Sequence, residues 1–168
     1  MKKQSRPVIS LPRTPLDVLL EVFAVLGTIT VIAMTAWGWR ILPAIIPTHY
    51  GLSGEPDAYG GKESLLILPI ISICTAVLLT VLSRFPHRCN YPWPITAENA
   101  PRQYALTRLL LRWITLEIVW TLCVLQWFII QAAQSQVGGY VTLLVSLAMA
   151  VTLIVTIILY LCIAARAR

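Results

Sequence analysis

A loop between two long apolar runs concentrates the side chains that could do chemistry in this chain. Residues 42–62 contain a histidine, two carboxylates, two tyrosines and a lysine, together with prolines that stiffen the backbone and glycines that relax it. Such side chains bind ligands through hydrogen bonds, charge and ring faces. The candidate binding residues are Pro47, His49, Tyr50, Glu55, Asp57, Tyr59 and Lys62. The alternative is a structural cap, in which the charged groups pair with one another or with the backbone.

The same loop does not predict catalysis or a metal site. His49, Glu55 and Asp57 are of the types that ligate metal ions, but no second histidine lies near them. The four cysteines are scattered along the chain without a C-x-x-C pair. The sequence contains no nucleophile–base arrangement and no phosphate-binding loop. We therefore predict no catalytic residues, no bound metal and no cofactor.

The composition indicates an integral membrane protein. The 168 residues are 58% hydrophobic and 12% charged, with a mean hydropathy of +0.77, which leaves too little polar surface for a soluble domain. Four stretches reach the roughly 20 apolar residues that a spanning helix needs. We predict an all-α membrane protein with helices at about 19–39, 64–83, 100–131 and 140–164 in a single domain, 1–168, and a structured outer loop between the first two helices.

The basic residues predict the orientation of these helices. Eleven of the thirteen lysines and arginines lie in the N-terminal tail, in the connection between the second and third helices, or at the C-terminus. Positively charged loops favour the cytoplasmic side, so we expect both termini inside and the loop at 42–62 outside. The net charge of +6 then favours anionic membrane lipids as partners. No base-stacking or groove-reading pattern predicts nucleic-acid binding.

Acidic and basic side chains also fall at similar depth near the predicted inner surface. Asp17 and Glu21 are one helical turn apart on the first helix, Arg108 and Arg112 are one turn apart on the third, and Glu117 follows about a turn later. Charges within a membrane span need partners, so we predict that these five residues form ion pairs that fix helix packing. A proton or ion relay is the alternative, although no further acidic residue or histidine continues a path through the membrane centre.

The connection before the third helix contains a second motif. Asn99 followed by Ala100 and Pro101 has the form of an N-cap with a proline in the first turn. The third helix is therefore expected to begin near residue 100 and to extend beyond the membrane on the cytoplasmic side. The residues singled out in this inner loop are Asn90, Tyr91, Pro92, Asn99, Arg102 and Tyr104.

Both loops resemble those of a known family. The run Ile46-Pro47-Thr48-His49-Tyr50, followed by Gly54-Glu55-Pro56-Asp57, Gly60 and Lys62, closely resembles the N-terminal domain of SdpI-like bacterial membrane proteins. The family pattern is Pro-Thr-His-Phe-Asn and then Gly-x-Pro-Asp-x-Trp-Gly-x-Lys. This chain has Tyr50, Gly51 and Tyr59 where that pattern has phenylalanine, asparagine and tryptophan. The stretch from Asn90 to Tyr104 is similar to the inner loop of small stand-alone members.

The resemblance implies a multi-pass protein of the bacterial cytoplasmic (inner) membrane and, in the immunity branch of the family, a protein that neutralises and senses a peptide toxin. We therefore expect a non-enzymatic membrane protein whose outer loop recognises a peptide or a partner membrane protein. A small transport or membrane-assembly subunit that uses the helix bundle is the alternative. An uncharacterised membrane enzyme is a third possibility.

Overall fold

The computed structural model describes residues 6–51, 55–134 and 139–167. Within these residues the elements are α1 (Pro15–Ile41), β1 (Ile45–Tyr50), β2 (Pro56–Gly61), α2 (Ile67–Ser83), α3 (Ala100–Ala133) and α4 (Gly139–Ala165). Short 3-10 helices, Lys62–Leu66 and Pro86–Arg88, precede and follow α2. Four helices are long and apolar enough to cross a membrane. The predicted all-α, four-span fold class is thus confirmed.

The structured loop between α1 and α2 is an antiparallel β-hairpin, a form of structure that the sequence analysis did not anticipate. Ile45 pairs with Gly61 and Pro47 with Tyr59, and the register becomes irregular around His49. Residues 52–54, at the turn, lie outside the described ranges. Prolines fit these strands because each strand of a two-stranded sheet has an edge on which no ladder hydrogen bond is made.

Helix α3 is the centre of the bundle. It packs against α1, α2 and α4, and α1 also packs against α2. Two glycines let α1 approach α3 closely: a Cβ atom at Gly27 would lie 2.7 Å from Cγ1 of Val119, and one at Gly38 would lie 2.9 Å from Cδ1 of Ile130. Small residues at such contacts are the usual way in which membrane helices pack closely.

Ile46 attaches the hairpin to the helices. Its side chain is fully buried, and its removal from water contributes roughly 1.5–3 kcal/mol. The cluster around it joins the end of α1, the 3-10 helix before α2 and the end of α3, through Leu42, Leu65 and Ile130. The hairpin is therefore packed on the bundle, and we call this end of the molecule the hairpin end.

The opposite end gathers the N-terminal segment, the connection before α3 and the end of α4. Arg6 donates a hydrogen bond to the carbonyl of Cys89 in the connection. Gln103, at the start of α3, donates to the carbonyl of Ala164, near the end of α4, at 2.9 Å. These contacts bring the three arginine-rich regions to one end of the bundle, which we call the basic end.

Candidate functional site

A groove of about 440 Å³ lies where the hairpin meets the helices. Residues 47–50 of β1 form one wall. The other walls come from three helices, with Ile67 and Leu68 of α2, Ile129 of α3 and Leu143 of α4 among the lining residues. The bundle side of the groove is mainly apolar, with Ser64 and Ser146 also in its lining, and the hairpin side is more polar.

Tyr50, one of the residues that line this groove, carries a buried polar group. Its hydroxyl oxygen is buried and has no hydrogen-bond partner among the described residues. Burial, with a smaller contribution from Tyr59, raises the pKa of Tyr50 above its ordinary value of 10.0, so the hydroxyl is neutral at physiological pH. A buried hydroxyl without a partner is destabilising by about 1–3 kcal/mol. A ligand removes that penalty only where its binding shifts the side chains that cover the hydroxyl.

His49 and Asp57 form a pair across the two strands. Nδ1 of His49 lies 2.5 Å from Oδ1 of Asp57, and both side chains are largely exposed. A carboxylate at Nδ1 fixes the tautomer and orientation of a neutral imidazole ring. Because the pair is exposed, it contributes at most about 1 kcal/mol to stability. Its effect is to hold the His49 ring in one orientation at the edge of the groove.

The other predicted loop residues have different positions. Nζ of Lys62 donates a hydrogen bond to the backbone oxygen of Trp39 at 3.1 Å and lies 5.1 Å from the centre of the Trp39 indole ring. Lys62 therefore joins the hairpin to the end of α1. The backbone oxygen of Glu55 accepts from the amide of Gly51 at 2.9 Å. Tyr59 is 63% exposed, and none of these three lines the groove. Of the predicted set, three residues line the groove and four lie outside its lining: Pro47, His49 and Tyr50 against Glu55, Asp57, Tyr59 and Lys62.

The charged residues near the basic end form a network between α1 and α3. Oδ2 of Asp17 lies 3.0 Å from Nη2 of Arg108, and Oδ1 lies 3.6 Å from Nε of Arg112. Nη1 of Arg112 lies 3.4 Å from Oε2 of Glu21. Asp17 also accepts a hydrogen bond from the amide of Thr14 at 2.8 Å, completing a capping box at the start of α1. The network therefore joins the two helices, as structural ion pairs do.

Glu117 does not belong to this network, contrary to the sequence-based expectation. Its Oε1 accepts a hydrogen bond from the hydroxyl of Thr156 on α4 at 2.6 Å. No ion pair links it to Arg108 or Arg112, all three being described residues. Glu117 comes five residues after Arg112 and nine residues after Arg108. Because each residue of a helix turns the chain by 100°, these separations place Glu117 on the opposite face of α3. Glu117 therefore faces α4, whereas the two arginines face α1.

Two tyrosines organise the inner loop. The hydroxyl of Tyr91 donates to the carbonyl of Pro86 at 2.9 Å, and its ring centre lies 5.8 Å from that of Tyr104. Arg6 lies over the Tyr91 ring at 5.4 Å, and the Tyr104 hydroxyl donates to the carbonyl of Pro7 at 3.1 Å. Burial raises the pKa of Tyr91 well above its usual value. These contacts hold the N-terminal segment against the loop.

Asn99 stands at the N-cap position of α3, as predicted, but its side chain does not cap the helix. Its Oδ1 accepts from the amide of Thr96 at 2.9 Å, and its Nδ2 donates to the carbonyl of Pro94 at 3.1 Å. Asn99 therefore stabilises the turn before the helix. The remaining motif residues, Asn90, Pro92 and Arg102, are exposed.

The helix residues that line the groove were not among the sequence-based candidates. Ile67, Leu68, Ile129 and Leu143 are ordinary apolar residues of predicted spans, so their types give no signal of a site. They meet only because three helices and a hairpin pack together.

Part of the chain is similar to known sequences. Residues 26–73 match the domain of unknown function DUF1648, a stretch that runs from α1 through the hairpin into α2. An uncharacterized protein of Archaeoglobus fulgidus is 44% identical in an alignment of 59 residues, and the match covers 30% of this chain and 32% of that protein. The chain thus matches about a third of the length of that curated relative. No solved structure matches the chain.

Proposed function

We propose that this chain is a non-enzymatic receptor of the bacterial cytoplasmic membrane, whose groove at the hairpin end binds an extended apolar peptide segment. The observation that carries this proposal is the groove itself, which the hairpin and three helices share and which Tyr50, with its buried and unpartnered hydroxyl, helps to line. A groove with such a lining is matched by a ligand that brings both apolar side chains and backbone polar groups.

The size and lining of the groove suit a short peptide segment. Binding cavities for small ligands have volumes of about 300–1,000 Å³ and combine apolar walls with a few polar groups. The groove, at about 440 Å³, lies in this range. Its mainly apolar walls suit two or three side chains of a peptide, and the polar groups of the hairpin lie beside them.

The hairpin favours a peptide over an acyl chain. β1 pairs with β2 along one edge, and the described part of the chain supplies no third strand to pair with the other edge. An unpaired strand edge binds extended peptides by adding a strand, and residues 47–50 of this strand line the groove. An acyl chain has no groups that satisfy these backbone donors and acceptors.

The resemblance of residues 46–62 to SdpI-like proteins supports a sensor or immunity role for such binding. In that role, capture of a peptide at the outer surface would protect the cell or signal the presence of the peptide. The matched domain of unknown function includes the hairpin but assigns no activity to it.

Two tyrosines of the hairpin provide a matched test. Apolar peptides are selected from a random peptide library on the protein in lipid nanodiscs, and the dissociation constant of the best peptide is measured for each variant. Tyr50→Phe should weaken binding roughly two- to tenfold, the range for one neutral hydrogen bond. Tyr59→Phe, an equal change at an exposed position, should leave affinity unchanged. Equal effects of the two variants, or no selectable peptide, would refute the proposal.

Polar groups inside the bundle favour a transport subunit as the second candidate. Oε2 of Glu117 and Oε1 of Gln126, both on α3, are buried and have no hydrogen-bond partner within the described residues. Ionisable and polar groups in spans commonly mark ion paths. In proteoliposomes, proton or sodium flux that Glu117→Gln abolishes would establish this function in place of the receptor. Absence of flux in the wild-type protein would exclude it for those ions.

A further inference from the structure

A second cavity, of about 340 Å³, lies at the basic end. Residues 9–11 of the N-terminal segment form part of its wall, together with the end of α2 and the first turns of α3. Its lining includes four arginines, Arg13, Arg84, Arg108 and Arg112. We call this space the basic cavity.

The arginines of the basic cavity are only partly neutralised. Their ion pairs within the described residues involve two carboxylates, those of Asp17 and Glu21, so four guanidinium groups face two negative charges. Arg84 is exposed at the end of α2 and makes no ion pair with a described residue. An excess of positive charge in a partly enclosed space attracts an anion.

Two buried donors in the cavity wall also lack acceptors. Arg108 and Arg112 are 8% and 7% exposed, and the Nε atom of each is buried without a hydrogen-bond partner among described residues. Nε of Arg112 lies 3.6 Å from the Asp17 carboxylate, too far for a hydrogen bond. Buried N–H groups of charged side chains are costly to leave unpaired. Each guanidinium group therefore keeps an N–H that the described residues do not satisfy, although its other nitrogens donate to the backbone oxygens of Leu11, Pro12 or Asp17.

We propose that the basic cavity binds the phosphate group of an anionic phospholipid. Arginine forks match phosphate oxygens in geometry and charge. The cavity lies where α1 begins and α2 ends, and the ends of spanning helices lie at the depth of lipid headgroups. Ile9, Leu11 and Pro86 add apolar wall, which suits the glycerol and upper acyl carbons of a lipid. Free phosphate has no group to place against these residues.

Bound lipid would join three parts of the basic end. The phosphate would contact arginines of the N-terminal segment, α2 and α3 at once, and so would add to the hydrogen bonds by which Arg108 already holds the carbonyls of Leu11 and Pro12. The site lies at the other end of the bundle from the groove and does not depend on the function proposed for that groove.

Lipid binding is tested by native mass spectrometry of the detergent-solubilised protein titrated with phosphatidylglycerol. Arg84→Gln is the test variant, because Arg84 lines the cavity and is exposed. Arg102→Gln is its control, because Arg102 is an exposed arginine of α3 outside the cavity lining. Arg84→Gln should weaken phosphatidylglycerol binding about tenfold, as expected for one charge-assisted contact. Arg102→Gln should change it by less than about twofold.

Three outcomes would overturn the proposal. Equal weakening by the two variants would mean non-specific attraction to the basic end. Equally tight binding of zwitterionic phosphatidylcholine would mean that the headgroup charge is not recognised. Displacement of phosphatidylglycerol by inorganic phosphate at the same concentration would assign the cavity to the free anion. Unchanged thermal unfolding of both variants without lipid shows that the fold is kept.

Discussion

At the scale of the residue, the carboxylate of Asp17 has two structural roles. It accepts the amide of Thr14 at the start of α1, and it pairs with Arg108 and Arg112 of α3. The variant Asp17→Asn keeps the size of the side chain and an oxygen that can accept the Thr14 amide. It removes the negative charge that pairs with the nearly buried guanidinium groups of Arg108 and Arg112. We expect a loss of about 3 kcal/mol in the free energy of unfolding, measured by denaturant titration in mixed micelles. Glu98→Gln, at an exposed position, is the control and should have little effect.

Tyr50 gives a prediction about pH. Because burial raises its pKa in the folded protein, the folded state holds this proton more tightly than the unfolded state does. Stability from Tyr50 is therefore fully present below the unfolded pKa, near 10.0, and falls as the pH rises through the folded pKa. In unfolding measurements from neutral to strongly alkaline pH, Tyr50→Phe should reduce the alkaline loss of stability. Identical pH profiles for wild type and variant would contradict this assignment.

Individual contacts were predictable from the sequence where charge and depth alone decided them. Asp17 and Glu21 meet Arg108 and Arg112 because opposite charges in adjacent spans need one another. The ion pairing predicted for Glu117 is wrong, because its angular position on α3 turns the side chain toward α4. The groove residues of the helices carry no signal in their types, so only the packed structure identifies them.

At the scale of the element, the contact between α1 and α3 depends on glycine. The Cβ of Gly27→Ala would lie 2.7 Å from Cγ1 of Val119, so the helices must separate or the valine must move. We expect a loss of about 1–3 kcal/mol, the usual range for overpacking. The double variant with Val119→Ala should recover part of it, because the clashing methyl groups are gone. If the loss in the double variant equals the sum of the losses in the two single variants, the two residues do not couple.

The helices were easier to predict than the hairpin for a physical reason. Each span is specified by its own apolar length, and the observed bounds, such as Ala100–Ala133 for α3, lie close to those predicted. The hairpin depends on a distant contact, the burial of Ile46 against Leu65 and Ile130. Prolines and glycines indicated an ordered loop, but no local pattern specified strand pairing or its register.

At the scale of the whole molecule, polar chemistry is divided between two ends. The groove, Tyr50 and the His49–Asp57 pair lie at the hairpin end, and the basic cavity lies at the other. Between them the bundle presents mostly apolar surface, with side chains such as Leu78 and Val151 more than half exposed, as contact with lipid requires. The two proposed sites would therefore face different compartments and respond to different ligands.

The orientation of the molecule in the membrane follows from this division of charge between its two ends. The arginines of the basic end favour the cytoplasmic side, so the hairpin end should face outward. The test uses a variant with all four cysteines replaced, into which either Glu63→Cys or Glu98→Cys is introduced. Both positions are exposed, Glu63 beside the hairpin and Glu98 before α3. A membrane-impermeant maleimide applied to intact cells should label the first variant, and the second only after the cells are opened.

Labelling of the Glu98→Cys variant in intact cells, with protection of the Glu63→Cys variant, would reverse the orientation. The hairpin groove would then open to the cytoplasm and could not bind an external peptide, and the basic cavity would face the outer leaflet.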